Sequence, residues 1–361
     1  MTGADVGRAA QAAGAAQAAA APVVEGGPAP DGAPLLEVSD LKTHYQVRRG
    51  LIDRVRRMPT HWVHAVDGVS FSLGRGEMMA LVGESGCGKT STAQTILRMV
   101  DATSGSVRLN GTDITTLSQA KLRPLRRRLQ MIYQDPYESL DPRFRVETAI
   151  EEPMLVHGIG GSRAARRDLT IAALERAGLS PAEQYLERYP HEMSGGQRQR
   201  VTIAAALVLG PELLLADEPV SMLDVSVRAG VLSLLDGLRR DGDMGILMIT
   251  HDLSTAAHFA DRIAVMYLGR IVEEGPAKRV VRNPQHPYTK ALLSVVPNRD
   301  PRQRSTPQIL QGETPNPILV PSGCRFHPRC PIAEDRCKAE DPQLRVPAGA
   351  TPTHQAACLL A

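Results

Sequence analysis

A short segment near residue 85 has the residue types that bind a nucleotide phosphate. Residues 83–90 read GESGCGKT and fit the pattern G-x-x-x-x-G-K-[ST]. The glycines let the backbone curl so that its N–H groups point at phosphate oxygens. The Lys89 ammonium is then placed to reach the β- and γ-phosphates, and the Thr90 hydroxyl to ligate Mg²⁺. The segment predicts an ATP site formed by Gly83, Ser85, Gly86, Cys87, Gly88, Lys89, Thr90 and Ser91.

The predicted elements around this segment are the ones that such a loop requires. Five apolar residues, 78–82, precede it and predict a buried strand. After it, apolar residues recur at helical spacing, at Ala93, Ile96, Leu97 and Val100. A helix that begins at the loop adds its positive N-terminal dipole to the phosphate site. A chance glycine-rich turn, which is the alternative, would not need this strand–loop–helix order.

An acidic pair follows a second apolar run. The sequence ELLLADEP begins at residue 212 and places Asp217 and Glu218 at the end of a predicted buried strand. In a parallel sheet, the carboxyl ends of the strands face the ligand crevice. Asp217 is therefore a candidate Mg²⁺ ligand, and Glu218 is a candidate general base for the attacking water. Alone, the pair would more simply begin a surface turn, but the phosphate loop favours the catalytic interpretation.

The two motifs are far apart in the chain, since 128 positions separate Lys89 from Asp217. A minimal nucleotide-binding fold does not need so many residues there, so the spacing predicts an insertion. Residues from about 137 to 210 have mostly helical patterns. We therefore expect an α-helical subdomain inserted into an α/β core with a parallel sheet.

The segment HEMSGGQRQR, which begins at residue 191, predicts a second helix start that can bind an anion. Ser194 is a favourable N-cap residue, and the two glycines after it let a phosphate approach the backbone. If this helix start and the phosphate loop lie on separate subdomains, Ser194 does not face Lys89 of its own chain. By itself, the segment would predict only a capped helix.

With these motifs in this order, the chain resembles the ATP-binding-cassette (ABC) ATPases. Residues 193–197, MSGGQ, are similar to the family's signature, which usually begins with Leu. The resemblance implies that the signature contacts the γ-phosphate of ATP on a partner subunit, through Ser194, Gly195, Gly196 and Gln197. It also implies that Gln134 links Mg²⁺ and the attacking water to the membrane partner.

The same resemblance gives roles to three further residues. His251 would lie at the γ-phosphate, and Asp224 would belong to the family's D-loop at the nucleotide site. Tyr45 would stack on the adenine ring, although an ordinary strand residue is an equal alternative there. Every catalytic position of the family pattern is matched, which predicts an active ATPase.

Other segments resemble the oligopeptide/dipeptide/nickel importer ATPases within that family. They are MIYQDPYESLDPR, RNPQHPYTKALLSVVP and the terminal cysteine pattern, and they are closest to the F-type, second ATPase subunit. The resemblance covers roughly residues 35–361. It implies a P-loop NTPase over residues 35–282, with a RecA-like core, an antiparallel β-subdomain and the helical subdomain. A C-terminal extension would follow over residues 283–361.

A subunit of this kind hydrolyses ATP to power solute import, with peptides the default, at the cytoplasmic face of the cell membrane. The implied partners are two permease subunits, a second homologous ATPase subunit and an extracytoplasmic substrate-binding protein. The net charge of +3 is too small to predict nucleic-acid binding. The competing hypotheses are a soluble ABC-type ATPase that acts on DNA or ribosomes, and the ATPase subunit of an exporter.

The first 34 residues are Ala-, Gly- and Pro-rich and contain few large apolar side chains. This composition predicts a disordered tail rather than a secretory signal. A chain that is not exported stays in a reducing compartment, where structural disulfides are rare. No apolar run approaches the roughly 18 residues of a membrane span.

Four of the five cysteines lie near the C-terminus, at Cys324, Cys330, Cys337 and Cys358, spaced C-x5-C-x6-C-x20-C. Zinc sites usually have paired C-x2–4-C knuckles, which are absent from this spacing, although His327 and His354 could serve as ligands. Irregular loops between four thiolates suit the widely separated corners of a cubane. Some of the importer ATPases that the chain resembles hold a [4Fe–4S] cluster in this extension. We therefore expect a [4Fe–4S] cluster with a structural role or, alternatively, a redox-sensing one, and zinc and four reduced thiols are the alternatives to the cluster.

Overall fold

The computed structural model describes residues 33–47, 60–296 and 312–361, together with Gln308 and Leu310. The predicted N-terminal tail, residues 1–34, lies outside this part of the chain except for its last two residues. The strands are β1 Leu36–Gln46, β2 Trp62–Leu73, β3 Met78–Val82, β4 Ser104–Leu109, β5 Thr112–Asp113, β6 Leu129–Ile132, β7 Leu213–Asp217, β8 Gly245–Thr250, β9 Arg262–Tyr267, β10 Arg270–Pro276 and β11 Gln355–Ala356.

Helices fill most of the space between these strands. They are α1 Lys89–Ile96, α2 Gln119–Arg126, α3 Pro136–Ser139, α4 Val146–His157, α5 Arg163–Arg176, α6 Glu183–Leu186, α7 Gly195–Leu207, α8 Val225–Gly242, α9 Leu253–Phe259, α10 Ala277–Arg282, α11 Pro287–Ser294 and α12 Arg336–Ala339. Short 3₁₀ turns occur at Pro190–Glu192 and His327–Arg329. Within the described ranges, no helix is both long and apolar enough to cross a bilayer.

The central sheet has the order β11-β10-β9-β3-β8-β7-β6. Strands β9, β3, β8, β7 and β6 are parallel, while β10 and β11 extend the edge in antiparallel pairing. The inner strands β3, β7 and β8 are buried on both faces, which explains their almost continuous apolar sequences. Met78 and Ala80 of β3 pack into one core, and Met79 and Leu81 into the other, because successive side chains alternate across a strand.

A second, antiparallel sheet with the order β2-β1-β4-β5 covers one face of the central sheet. Its inward residues, including Leu36 and Val107, share a core with Leu215 and Leu247 of the central strands. The helix that follows the phosphate loop joins the same core through Ala93 and Ile96. The phosphate loop is thus held between the two sheets.

The predicted helical insertion is present. Between the ends of β6 and β7, which the structure describes without a gap, the regular elements are all helical, from α3 to α7. Val201 and Ile203 of α7 pack in the same core as Ile150 of α4 and Leu174 of α5. The expected fold class, an α/β nucleotide-binding core with an antiparallel sheet and an inserted helical subdomain, is confirmed.

The C-terminal extension packs on the central sheet. Its strand β11 pairs with β10, through Ala356 opposite Glu273. Phe326 is buried against Tyr267 of β9 and Tyr288 of α11, with ring centroids 5.2 and 5.5 Å apart. The four late cysteines are therefore attached to the same sheet that carries the phosphate loop.

Candidate functional site

The phosphate loop is shaped by glycines that tolerate no side chain. A Cβ on Gly83 would lie 2.2 Å from the carbonyl oxygen of Met266, and one on Gly88 would lie 2.0 Å from that of Ala65. Gly88 also has φ of 109° and forms the N-cap of α1, a conformation that L side chains rarely adopt. Strands β2 and β9 thus press on the loop from two sides, and only glycine allows this approach.

Lys89 occupies the position that the sequence predicts for it. The side chain is only 5% exposed, and its Nζ donates to the carbonyl oxygens of Gly83 at 2.8 Å and Glu84 at 2.9 Å. A lysine ammonium has three N–H donors; two of them hold the loop, and the third has only a weak contact with Cys87 Sγ at 3.9 Å, which a phosphate oxygen could replace. Ser85, Gly86 and Thr90 are exposed at the mouth of the loop, and Ser91 is half-buried.

Cys87 differs from what its sequence position suggests. A thiol near a helix N-terminus and a lysine is expected to ionise readily. The Cys87 side chain instead points into the core and is 1% exposed, so burial raises the pKa of its thiol despite the nearby charge of Lys89. A thiolate is disfavoured because desolvation outweighs the favourable charge, and Cys87 can contact phosphate only through its backbone.

Asp217 ends strand β7 and has an unsatisfied carboxylate oxygen. The residue is 4% exposed, and its Oδ1 is buried without a hydrogen-bond partner among the described residues. Burial raises the pKa of Asp217, and the charge of Glu218 adds to the increase, while Thr90 and Lys89 act in the opposite direction. A buried, orphaned carboxylate oxygen beside the Thr90 hydroxyl fits an Mg²⁺ ion, which prefers oxygen ligands.

The three predicted catalytic side chains meet at one carboxylate. Gln134 Nε2 donates to Glu218 Oε2 at 3.2 Å, and His251 Nδ1 lies 3.1 Å from Glu218 Oε1. These residues follow β6, β7 and β8, which are adjacent in the central sheet. Glu218 has φ of 45°, so its backbone leaves the strand through a left-handed turn. The oxygen of the Gln134 amide is not used in this bond and is available to a metal ion.

The signature segment forms the predicted capped helix start. Ser194 Oγ accepts the N–H of Gln197 at 3.3 Å, and Gln197 Oε1 accepts the N–H of Ser194 at 3.0 Å. This reciprocal capping box fixes both side chains. A Cβ on Gly196 would lie 2.5 Å from Val227 Cγ1, so the glycine is needed to pack α7 against α8, whereas Gly195 is less crowded.

The structure does not bring the signature to the phosphate loop of the same chain. No hydrogen bond or ion pair of the described residues joins residues 193–197 to residues 83–91. Asp224, at the N-cap of α8, is exposed, as are its neighbours Met222 and Val225 at 60% and 80%. The signature and Asp224 therefore lie on elements whose surfaces remain accessible to another molecule.

Tyr45 lies on β1 and is half-buried. It is paired with Val63 of β2, two residues before Ala65, whose carbonyl oxygen abuts Gly88. The aromatic ring is thus carried on the strand pair that covers the phosphate loop, as adenine stacking requires. No described contact joins the ring to the loop itself.

The four late cysteines line one cavity. Cys324, Cys330, Cys337 and Cys358 surround it together with His286, Phe326 and His327, and none of them is in a disulfide. Burial raises the pKa of the Cys324 thiol to about 11, and repulsion from the other three thiols adds to the increase. Four thiols spread over 35 positions thus converge on a point where a bound cationic group would favour their ionisation.

The four thiols do not form a group of donors close enough to share one metal ion in this structure. In a zinc site, sulfurs 2.3 Å from the metal lie roughly 3.8 Å apart. Among the described residues, the only three His, Cys, Asp or Glu donors within 4.8 Å of one another are His44, His64 and Asp67. That trio needs no metal, because Arg325 and His44 are paired with the Asp67 carboxylate.

The two histidines that the sequence offered as zinc ligands behave differently. His354 is 2% exposed and its Nε2 lies 2.7 Å from Glu273 Oε1, so this ring is already paired. His354 also does not line the cavity that the four cysteines surround. His327 lines the cysteine cavity, but its Nδ1 lies 2.9 Å from the carbonyl oxygen of Cys324.

The sequence gives no sign of a contact between the extension and the phosphate loop. Arg329 NH1 donates to Glu84 Oε2 at 2.8 Å. Glu84 occupies a variable position of the loop pattern, and Arg329 is one of many arginines. The position of Arg329 next to Cys330 is the one sequence feature that could have indicated its importance.

Known protein families match most of the chain. Residues 66–221 match the family described as "ABC transporter", and residues 272–337 match "Oligopeptide/dipeptide transporter, C-terminal region". The chain is 47% identical to the probable peptide ABC transporter ATP-binding protein y4tS of Sinorhizobium fredii, over 86% of each chain. It is 44% identical to the oligopeptide transport ATP-binding protein AppF of Bacillus subtilis, over 90% of this chain and 97% of that protein.

A solved structure confirms the similarity in three dimensions. The ATP-binding cassette MJ0796, in a dimeric post-hydrolysis state bound to ADP and Pi, superimposes with a TM-score of 0.58 at 26% sequence identity. The match covers 67% of this chain and 99% of the cassette. The chain thus contains a complete cassette fold and additional residues.

Proposed function

The chain belongs to the family of ABC transporter ATP-binding proteins, and from that premise we propose that it hydrolyses ATP to power the import of peptides through a membrane permease. One observation supports the proposed ATP hydrolysis. Glu218 is held by Gln134 and His251 at the carboxyl edge of the sheet, next to Asp217 and the phosphate loop. The peptide cargo is supported by the names of the relatives, which are peptide and oligopeptide transport proteins.

Each residue of the site would make a different contact with MgATP. Backbone N–H groups of residues 83–91 and the Lys89 ammonium would bind phosphate oxygens. Thr90 Oγ, the orphaned Oδ1 of Asp217 and the free amide oxygen of Gln134 would hold Mg²⁺. Bound Mg²⁺ neutralises phosphate charge and orients the β- and γ-phosphates. Tyr45 would stack on the adenine ring.

Glu218 is the group that can accept a proton from the attacking water. Its two carboxylate oxygens are oriented separately, Oε2 by Gln134 and Oε1 by His251. Because Glu218 is held from both sides, its carboxylate has a fixed orientation. Such orientation of a catalytic group contributes strongly to the rate. His251, whose side chain is 61% exposed, is free to contact the γ-phosphate from the same side.

The complete site requires two cassettes. Ser194, Gly195, Gly196, Gln197 and Asp224 would close over ATP bound to the phosphate loop of a partner subunit. The absence of described contacts between the signature and the loop of the same chain supports this arrangement, as does the exposure of Asp224. The dimeric state of the similar cassette MJ0796 also supports it. The partner is a second, homologous ATPase subunit.

The remaining partners follow from the importer function. They are two transmembrane permease subunits and an extracytoplasmic substrate-binding protein, which place this chain at the cytoplasmic face of the cell membrane. The match of residues 272–337 to the oligopeptide/dipeptide C-terminal region favours an importer over an exporter. It equally disfavours an ATPase that acts on DNA or ribosomes.

We propose that the four cysteines hold a [4Fe–4S] cluster with a structural role. The convergence of four thiols on one cavity supports a bound inorganic group. The separation of their sulfurs, beyond the spacing for one metal ion, favours the cluster over zinc. A cluster would crosslink the Pro-rich extension, which has too little apolar surface to fold alone.

Purification of the complex from membranes tests the transport function. Native mass spectrometry should find this chain with two permease subunits and a second ATPase. In liposomes, peptide-loaded binding protein should stimulate ATP hydrolysis, and Lys89→Ala should abolish the stimulation. Copurification with ribosomes or DNA and without permease subunits would overturn the proposal.

A further inference from the structure

The phosphate loop is held from outside by the C-terminal extension, at Glu84. Arg329 donates twice to this carboxylate, from NH1 to Oε2 at 2.8 Å and from NH2 to Oε1 at 3.3 Å. Thr314 Oγ1 donates to the same Oε2 at 2.9 Å. A paired guanidinium and carboxylate fixes direction as well as distance. Both oxygens of Glu84 are therefore bound by residues that lie outside the cassette core.

The backbone of Glu84 is held as well. Its N–H donates to the hydroxyl of Tyr288 at 2.9 Å, and its carbonyl oxygen accepts from Lys89 Nζ at 2.9 Å. Tyr288 belongs to α11, beyond the last strand of the core. One residue thus connects the phosphate-binding lysine on one side with the extension on the other.

Arg329 is itself positioned by the cysteine site. It ends the 3₁₀ turn His327–Arg329 and directly precedes Cys330. The backbone N–H of Arg329 donates to the carbonyl oxygen of Phe326 at 3.0 Å. The backbone N–H of Cys330 donates to the carbonyl oxygen of His327 at 3.3 Å. The side chain is 9% exposed and its guanidinium lies 6.0 Å from the Tyr267 ring centroid. The turn that orients Cys330 toward the cavity therefore also orients Arg329 toward Glu84.

We infer that Arg329 is a positioning residue that transmits the state of the four-cysteine site to the phosphate loop and so sets the affinity for ATP. The inference rests on the proposed role of residues 83–91 in binding ATP. Gly86 and Gly88 have positive φ, and glycine-rich backbone loses much conformational freedom when it is ordered. A loop that is already held at Glu84 has less ordering left for the nucleotide to impose, so binding is tighter.

The coupling makes ATP affinity depend on residues that do not touch the nucleotide. If the cysteine site loses its bound group, or if the turn at Cys330 unfolds, Arg329 would no longer have a fixed position. ATP affinity would then fall although every residue that touches the nucleotide is intact. The extension would in this way make ATP binding depend on a correctly assembled cysteine site.

Equilibrium binding of MgATP to the purified full transporter complex tests the inference, with kcat measured at saturating ATP. Arg329→Ala should raise the Kd for MgATP about tenfold and change kcat less than twofold, and Glu84→Gln should raise the Kd to a similar extent. The double variant should be no weaker than either single one, since both remove the same interaction. Arg329→Lys should recover part of the affinity. Arg336→Ala, at an exposed ion pair of the same extension, is the control and should bind like the parent.

A second arm tests the connection to the cysteines. Cys330→Ser should raise the Kd for MgATP to the same extent as Arg329→Ala, and combining the two should add nothing further. Equal affinity of parent, Arg329→Ala, Glu84→Gln and Arg336→Ala would overturn the role of Arg329. Fully additive effects of Cys330→Ser and Arg329→Ala would overturn the coupling. A parent complex that binds no MgATP would instead contradict the proposed function, so the two failures are distinguishable.

Discussion

His251 Nδ1 lies 3.1 Å from Glu218 Oε1, across the boundary between two neighbouring parallel strands. Glu218 directly follows β7 and His251 directly follows β8, so the pairing of these strands alone brings the two side chains to one edge. Gln134, after β6, approaches the same carboxylate from the other side.

Glu218→Gln keeps the size of the side chain but removes the base. We expect kcat for ATP hydrolysis to fall by about 10²–10⁴, with little change in the Kd for MgATP. Phosphate release by the purified complex and equilibrium nucleotide binding are the measurements. Lys89→Ala, which removes a phosphate contact, should weaken binding itself. Hydrolysis at the parent rate by the Glu218→Gln complex would show that another residue is the base.

Asp217→Asn should stabilise the protein while it inactivates it. Burial raises the pKa of Asp217, so its charged form is disfavoured in the folded state. The free-energy cost of the charge therefore grows as pH rises above the ordinary value of 3.8 and is relieved as pH falls. We expect a gain on the order of 1 kcal/mol in unfolding free energy, with loss of Mg²⁺-dependent hydrolysis.

Differential scanning calorimetry at neutral pH, with EDTA and without nucleotide, measures this gain as a rise in Tm. Asp241→Asn, an exposed acid at the end of α8, is the matched control and should leave Tm near the parent value. A Tm for Asp217→Asn at or below that of this control would contradict the prediction.

Asp67→Asn should loosen the attachment of the extension. Burial by itself would raise the pKa of Asp67, but the hydrogen bond and charge of Arg325 outweigh it and hold this pKa below 3.8. The ion pair therefore stabilises the fold above that pH and is lost as pH falls through the lower folded pKa. Because Arg325 is only 8% exposed, removing its partner should cost about 3 kcal/mol at neutral pH.

Chemical denaturation at pH 7 measures this cost. Combining Asp67→Asn with Arg325→Met should recover part of the stability, since the uncompensated buried charge is then gone. Asp335→Asn, at an exposed pair with Lys338, should have little effect. If Asp67→Asn is no more destabilising than Asp335→Asn, the pair does not hold the extension.

The four-cysteine site should give anaerobically purified protein a brown colour. We expect broad absorption near ~400 nm and about four irons per chain, the content of one [4Fe–4S] cluster. Cys324→Ser, Cys330→Ser, Cys337→Ser and Cys358→Ser should each reduce iron content, whereas Cys87→Ser should not, because Cys87 lies in the phosphate loop. Colourless protein with one zinc per chain would establish the alternative, and protein without either metal would leave four thiols.

Local sequence patterns were sufficient for the phosphate loop, the acidic pair and the capped helix at Ser194. Each of these depends on residues that are neighbours in the chain: a glycine where no Cβ fits, a carboxylate after an apolar run, a hydroxyl before a helix. The α/β core and its helical insertion followed from the order of such patterns, whereas the antiparallel sheet followed from the family resemblance. The role of Cys87 was not predictable in this way, because its burial depends on strands that come much later in the sequence.

What only the tertiary structure decided is which distant residues meet. Arg329 and Glu84 are 245 positions apart, and Arg325 and Asp67 are 258 apart. Nothing in the sequence around either arginine identifies its partner, because ordinary surface arginines have the same composition. The contacts arise because β11, Phe326 and α11 pack the extension against the sheet, and that packing selects two arginines out of many. Sequence alone therefore predicted the residues of the proposed nucleotide site, and the packing of the extension determined what holds the phosphate loop in place.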